Sequence, residues 1–184
     1  MKKVYAFLAD GFEEIECLAV VDLLRRAEIN ILTVSIMDSL TVTGAHDIKV
    51  TADKLFSEIS CRDADMLFLP GGGGGTQRLR AHEALLKELT AFAKLPEKRI
   101  AAICAAPSVL GALGLLAGRD AVCFPGFEKF CTGANIVNRG VVTDGMITTA
   151  KGMGVSIKLG LEIISLLINP ETACAIKNQI QYEP

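Results

Sequence analysis

The chain has 184 residues, 51% of them apolar, and a mean hydropathy of +0.40, which excludes a disordered chain and provides enough apolar mass for one domain spanning 1–184. Nineteen Lys and Arg against 21 Asp and Glu leave a net charge of −2 and a pI of about 5.7, so the composition points to neither nucleic acid nor membrane as a partner.

Lys3 to Ala9 reads as a first buried strand. Lys2-Lys3 ahead of it imitates a signal peptide, but Asp10 ends the apolar run too soon. Asp10-Gly11 makes a turn, and Glu13-Glu14 place the charge that a helix dipole prefers at the start of a helix over 14–27. The core stripe of that helix is Cys17, Val20, Val21 and Leu24. Glu16 stands out because it shares a ridge with Val20, Leu23 and Ala27, which would hold a carboxyl in a dry place and raise its pKa. Residues 30–36 form a second buried strand, and 41–50, broken at Gly44-Ala45, form a hairpin with His46 at its tip. A histidine at a turn is ordinarily surface decoration.

Met66 to Leu69 is a third buried strand, followed by Pro70 and five glycines. This run is neither a Walker loop, since no Lys-Ser/Thr follows, nor a dinucleotide fingerprint, since the third glycine is missing. It reads as a loop whose backbone N–H groups can approach a ligand or oxyanion closely. Residues 76–94 are helical, in two pieces around His82. Arg99 to Ile103 is a strand covered on both faces, Cys104 sits at its end, and Pro107 opens a helix carrying Val109, Leu110, Leu113 and Leu116. The 19 uncharged residues 100–118 are therefore strand plus helix rather than a membrane span. A cysteine between a strand's C-terminal end and a helix's N-terminal end lies where open α/β sheets bind ligands, and the helix end would lower its pKa. A further strand over 119–124, a hairpin turning at Asp144-Gly145, a helix over 155–167 and a last helix from Pro170 complete the chain. The alternation predicts an α/β fold, a doubly wound and mostly parallel sheet sandwiched by helices, with a small β-hairpin excursion.

The six cysteines are scattered, with no CxxC pair, and there are only two histidines, which argues against disulfides and against a metal site and places the chain in a reducing cytoplasm.

Four stretches, Asp10-Gly11-Phe12-Glu13-Glu14-Ile15-Glu16, Leu69-Pro70-Gly71-Gly72, Ala101 to Pro107 around Cys104, and Lys151-Gly152-Met153-Gly154, fall in an order and spacing that resembles the ThiJ/PfpI superfamily, nearest its DJ-one branch. The resemblance covers essentially the whole chain. It implies a flavodoxin-like sandwich, a homodimer and no cofactor. It further implies that Cys104 is the nucleophilic or oxidisable cysteine, that Glu16 carries the protonated carboxyl beside it, and that Gly72 and Ala105 offer backbone N–H groups. Where peptidase-like members carry a histidine directly after the cysteine, this chain has Ala105, which disfavours a Cys-His peptidase. Phe124 stands where relatives have a histidine before proline, and Ala106 replaces a glycine. His46 stands where relatives carry arginine, on the hairpin that would face the partner subunit's site. The implied activity is on reactive aldehydes such as methylglyoxal or on glycated protein, by glyoxalase- or deglycase-type chemistry. The alternatives are a redox sensor or oxidation-activated chaperone using Cys104 and, outside the family, a nucleotide or flavin binder.

Overall fold

The computed structural model describes residues 1–183. In chain order the strands and helices are β1 (Lys3–Leu8), α1 (Glu14–Arg26), β2 (Asn30–Ser35), β3 (Thr41–Thr43), β4 (Lys49–Thr51), β5 (Lys54–Leu55), β6 (Met66–Leu69), α2 (Gly73–Ala81), α3 (Glu83–Phe92), β7 (Arg99–Ile103), α4 (Pro107–Ala112), β8 (Asp120–Ala121), β9 (Asn135–Ile136), β10 (Val141–Asp144), β11 (Ile147–Ala150), α5 (Ser156–Leu167) and α6 (Pro170–Gln179). Seven strands form the central sheet in the order β10-β11-β7-β6-β1-β2-β5, parallel throughout except for β10 against β11. This is the flavodoxin-like sandwich, and β3 with β4 is the separate hairpin.

Strand period 2 divides the core into two layers. Val4, Ala6, Leu8, Met66, Phe68, Ala101 and Ile103 face α1 and α5. Their neighbours Tyr5, Phe7, Leu67, Leu69, Ile100 and Ala102 face α2, α3 and α4 through Leu79, Leu85, Leu89, Phe92 and Val109. Strands covered on both faces have no place for polar alternation, which is why β1, β6 and β7 read as unbroken apolar runs.

Three sequence expectations are corrected. The glycine run is a loop only as far as Gly72, because Gly73, Gly74 and Gly75 form the first turn of α2. The helix after Cys104 lasts only six residues and passes into i→i+3 turns at Leu113 and Gly114. The strand expected over 119–124 shrinks to Asp120–Ala121, paired with β9. Beyond it Val122 bonds to the Thr149 side chain, and the Phe124 N–H donates to the Cys104 carbonyl, so the backbone is satisfied without a ladder.

The last helix shows a local signal that tertiary context left intact. Asn169 caps α6, its side-chain oxygen accepting from the Thr172 N–H at 2.8 Å, with Pro170 in the first turn. Asn169→Ala is expected to cost about 1 kcal/mol and lower the melting temperature by roughly 2–4 °C, as thermal unfolding would show.

Candidate active site

The C-terminal edge of the parallel strands brings the site together. Cys104 follows β7 directly and holds a φ of +63°, in the left-handed region that non-glycine residues rarely adopt. Bonds on both sides hold this elbow: the Cys104 N–H donates to Ala150 O at 2.9 Å, and its carbonyl accepts from the Phe124 N–H at 2.8 Å. The backbone N–H groups of Gly72 and Ala105 draw the thiol's pKa down, and Glu16 lines the same cavity as the sulfur.

Glu16, in the first turn of α1, is 1% exposed. Its Oε2 accepts from the Gly71 N–H at 3.1 Å. Gly71 is what lets carboxyl and thiol meet: a Cβ there would collide with Glu16 Oε2 and lie 2.5 Å from Cys104 Cβ.

Burial pushes the Glu16 carboxyl up to about 7, against opposing hydrogen bonds from Cys104, Gly71 and Met153. Burial, followed by the Glu16 charge, pushes the Cys104 thiol up to about 12, while the Gly72 and Ala105 N–H groups pull it down. The expected lowering by the helix end is outweighed because α4 has barely one and a half turns and the thiol is partly desolvated. Thiol and carboxyl titrate as one unit that sheds a first proton near pH 7 and holds the second far above. The Gly72 and Ala105 N–H groups lower the cost of moving that charge from the carboxyl onto the sulfur.

This coupling gives stability a pH signature. An acid whose pKa rises on folding contributes stability below its unfolded value of 4.5 and loses it as pH climbs through about 7. Glu16→Gln is therefore expected to be more stable than the parent at pH 8, by on the order of 3 kcal/mol, with the advantage gone at pH 4. Denaturant melts at the two pH values measure the difference, and an equal gain at both would refute the raised carboxyl.

His46 lies at the tip of the β3–β4 turn, and its ring meets glutamates of its own chain. Nδ1 lies 2.9 Å from Glu14 Oε2 and 3.6 Å from Glu13 Oε2, and its backbone N–H donates to Glu14 Oε1 at 2.8 Å. Burial raises the Glu14 carboxyl, but the two His46 hydrogen bonds outweigh it and leave the pKa lowered. The Glu14 bond and the two glutamate charges raise His46 in turn. Sequence reading took Glu13 and Glu14 as ordinary first-turn charges, yet Glu14 is 2% exposed. The ligand atoms of Glu13, Glu14 and His46 lie within 4.8 Å of one another, close enough to converge on a divalent cation.

Cys104, Glu16, Gly72, Ala105 and His46 line one cavity of about 370 Å³, with Glu13, Ala45, Gly73, Phe124, Phe127 and Met153 completing its wall. Phe127 carried no signal in the sequence, and Met153 stood in a motif stretch without an assigned role, because nothing local says where an apolar side chain will point. A larger depression of about 750 Å³, lined by Met1, Lys2, Ala27 to Ile29 and Leu167 among others, lies at the opposite edge of the sheet and holds no cysteine.

A sequence model described as the DJ-1/PfpI family matches residues 2–166. Protein DJ-1 homolog B of Arabidopsis thaliana is 35% identical over 158 residues, 85% of this chain, and protein DJ-1 homolog A of the same plant is 33% identical over 167 residues, 90% of this chain. The chain spans only 36% and 42% of the length of those two relatives. The solved structure of Toxoplasma gondii DJ-1 in oxidised form superposes with a TM-score of 0.95 at 34% identity, over 100% of both chains. Among the described residues no helix is long and apolar enough to cross a membrane. With the motif order, the sheet topology and the match over residues 2–166 in agreement, the chain belongs to the DJ-1/PfpI family.

Proposed function

We propose that the chain converts reactive 2-oxoaldehydes such as methylglyoxal, free or as protein adducts, through Cys104. The observation that carries this reading is the Cys104–Glu16 contact inside a cavity, with the Gly72 and Ala105 N–H groups at the sulfur. The thiolate adds to the aldehyde carbon, the carbonyl electron pair moves to oxygen, and that oxygen takes the Glu16 proton to give a hemithioacetal. The two N–H donors stabilise the oxyanion as it forms. The Glu16 carboxylate then moves the former aldehyde proton to the neighbouring carbon while the hydroxyl proton passes to that carbon's oxygen, giving a thioester, and water cleaves the carbon–sulfur bond to release the 2-hydroxy acid and free the sulfur. Water is the only co-reactant, so no external oxidant or reductant is required. A Cys-His peptidase is disfavoured, since Ala105 follows the cysteine and His46 Nδ1 is engaged by Glu14.

The test is methylglyoxal consumption and lactate formation by the purified chain against Cys104→Ser. Turnover no greater than that of the variant overturns the enzymatic reading.

The two N–H donors at the sulfur support a second reading, a redox sensor or oxidation-activated chaperone, because they would equally hold the oxygens of a sulfinate. The Toxoplasma gondii relative was solved in oxidised form. Selective sulfinate on Cys104 after mild peroxide, with client holding and no turnover, would favour it.

A further inference from the structure

The cavity around Cys104 is larger than a small aldehyde requires, and part of its wall is aromatic. Methylglyoxal fills on the order of 100 Å³. The cavity measures about 370 Å³, and Phe124, Phe127 and Met153 on its wall offer no hydrogen-bond donor to a carbonyl. Phe124 and Met153 also line a second cavity of about 400 Å³, whose remaining wall includes Pro125, Gly152 and Val155, with Lys151 its one charged member. The two side chains therefore stand as a partition between the sulfur and an adjoining space that contains no acid. Phe124 is 47% exposed and Met153 53%, so two large apolar side chains are left uncovered at one cavity edge. Apolar surface kept open beside a reacting group marks a place for an apolar part of a ligand.

Phe124 is fixed from two sides. Its backbone N–H donates to the Cys104 carbonyl at 2.8 Å, which ties it to the nucleophile. Its ring lies against Gly152, where a Cβ would be 3.3 Å from Phe124 Cδ2 and 3.8 Å from Glu16 Oε1. The ring edge and the carboxyl are thus neighbours across a residue without a side chain.

We infer that Phe124 and Met153 form a subsite for an aryl group, and that they direct the chain toward aryl 2-oxoaldehydes, of which phenylglyoxal is the simplest. The reaction rests on the aldehyde reading above; the binding of the ring does not. With the aldehyde carbon at the Cys104 sulfur and its oxygen toward Glu16, the ring on the neighbouring ketone carbon packs on Phe124 and on the Met153 thioether. The steps are those already given. Phenylglyoxal takes up one water and leaves as mandelate. Its aldehyde carbon is oxidised and its ketone carbon reduced within one molecule, and the sulfur returns as it began.

The test compares kcat/KM for phenylglyoxal and methylglyoxal in the purified chain and in Phe124→Ser, a change at a half-exposed side chain that leaves the backbone bond to Cys104 in place. The expected result is a preference for phenylglyoxal of at least about tenfold, carried mainly by KM, that shrinks at least about fivefold in Phe124→Ser. A second measurement needs no turnover. Acetophenone keeps the ring and the ketone and lacks the aldehyde. It is expected to protect Cys104 from iodoacetamide at a concentration at least about tenfold below that of acetone, with the gap narrowed in Phe124→Ser. Equal kcat/KM for the two aldehydes, or a preference untouched by Phe124→Ser, overturns the subsite and leaves the aldehyde reading standing. If neither aldehyde turns over faster than in Cys104→Ser, the aldehyde reading falls, and the protection measurement alone decides the subsite: a gap that Phe124→Ser narrows upholds it, and equal protection by the two ketones overturns it.

Discussion

Cys104→Ser is expected to lower kcat/KM for methylglyoxal by about 10³-fold or more, equivalent to roughly 4 kcal/mol of lost transition-state stabilisation. Serine is nearly the same size and can take the same place at the elbow, so the fold and the cavity should survive. What disappears is a group able to exchange its proton with Glu16. The thiol and the carboxyl face each other in one cavity and titrate as a coupled pair that loses its first proton near pH 7. An alcohol is a far weaker acid and cannot carry that charge. The measurement is lactate formation at saturating and limiting aldehyde, with thermal melts to verify folding. A variant that keeps a tenth of the parent's kcat/KM would show that the sulfur is not the nucleophile.

Gly72→Ala is expected to damage stability and site together. Gly72 holds a φ of +90°, where a side chain is strained, and a Cβ there would collide with the Gly11 carbonyl and lie 2.6 Å from the Glu13 N. These obstacles are backbone atoms and cannot rotate away. Left-handed strain and displaced backbone together should cost about 3 kcal/mol, which for a chain of this size lowers the melting temperature by roughly 6–12 °C. The same shift pulls one of the two N–H donors off the Cys104 sulfur, so iodoacetamide should alkylate Cys104 more slowly than in the parent at pH 7. An unchanged melting temperature would mean that the turn relaxes freely. An unchanged alkylation rate would remove Gly72 from the account of sulfur activation.

What could be read along the chain and what could not divide by the range of the interactions involved. β1, β6 and β7 were legible because coverage on both faces leaves an unbroken apolar run, and α1 because its stripe repeats at helical spacing. Glu16 was legible as an acid on an apolar ridge, and Cys104 as a residue between strand and helix. The ends of elements were less so: the start of α2 lies inside a glycine run whose Gly75 packs against Gly11 and Phe12, and Phe130 and Cys131 pack against Gly111 near the early end of α4. His46 was placed on its turn, but nothing local indicated that its ring would meet a buried glutamate 32 residues earlier.

The amino-acid order alone determined the layered fold and singled out Cys104 and Glu16 as candidates, because periodicity and strand-to-helix punctuation act over a few residues. Only the folded chain decided that Glu16 and Cys104 line one cavity and that Glu13, Glu14 and His46 converge. Burial and contact between distant segments set those properties, and neither exists until the sheet has brought its strand ends to one edge.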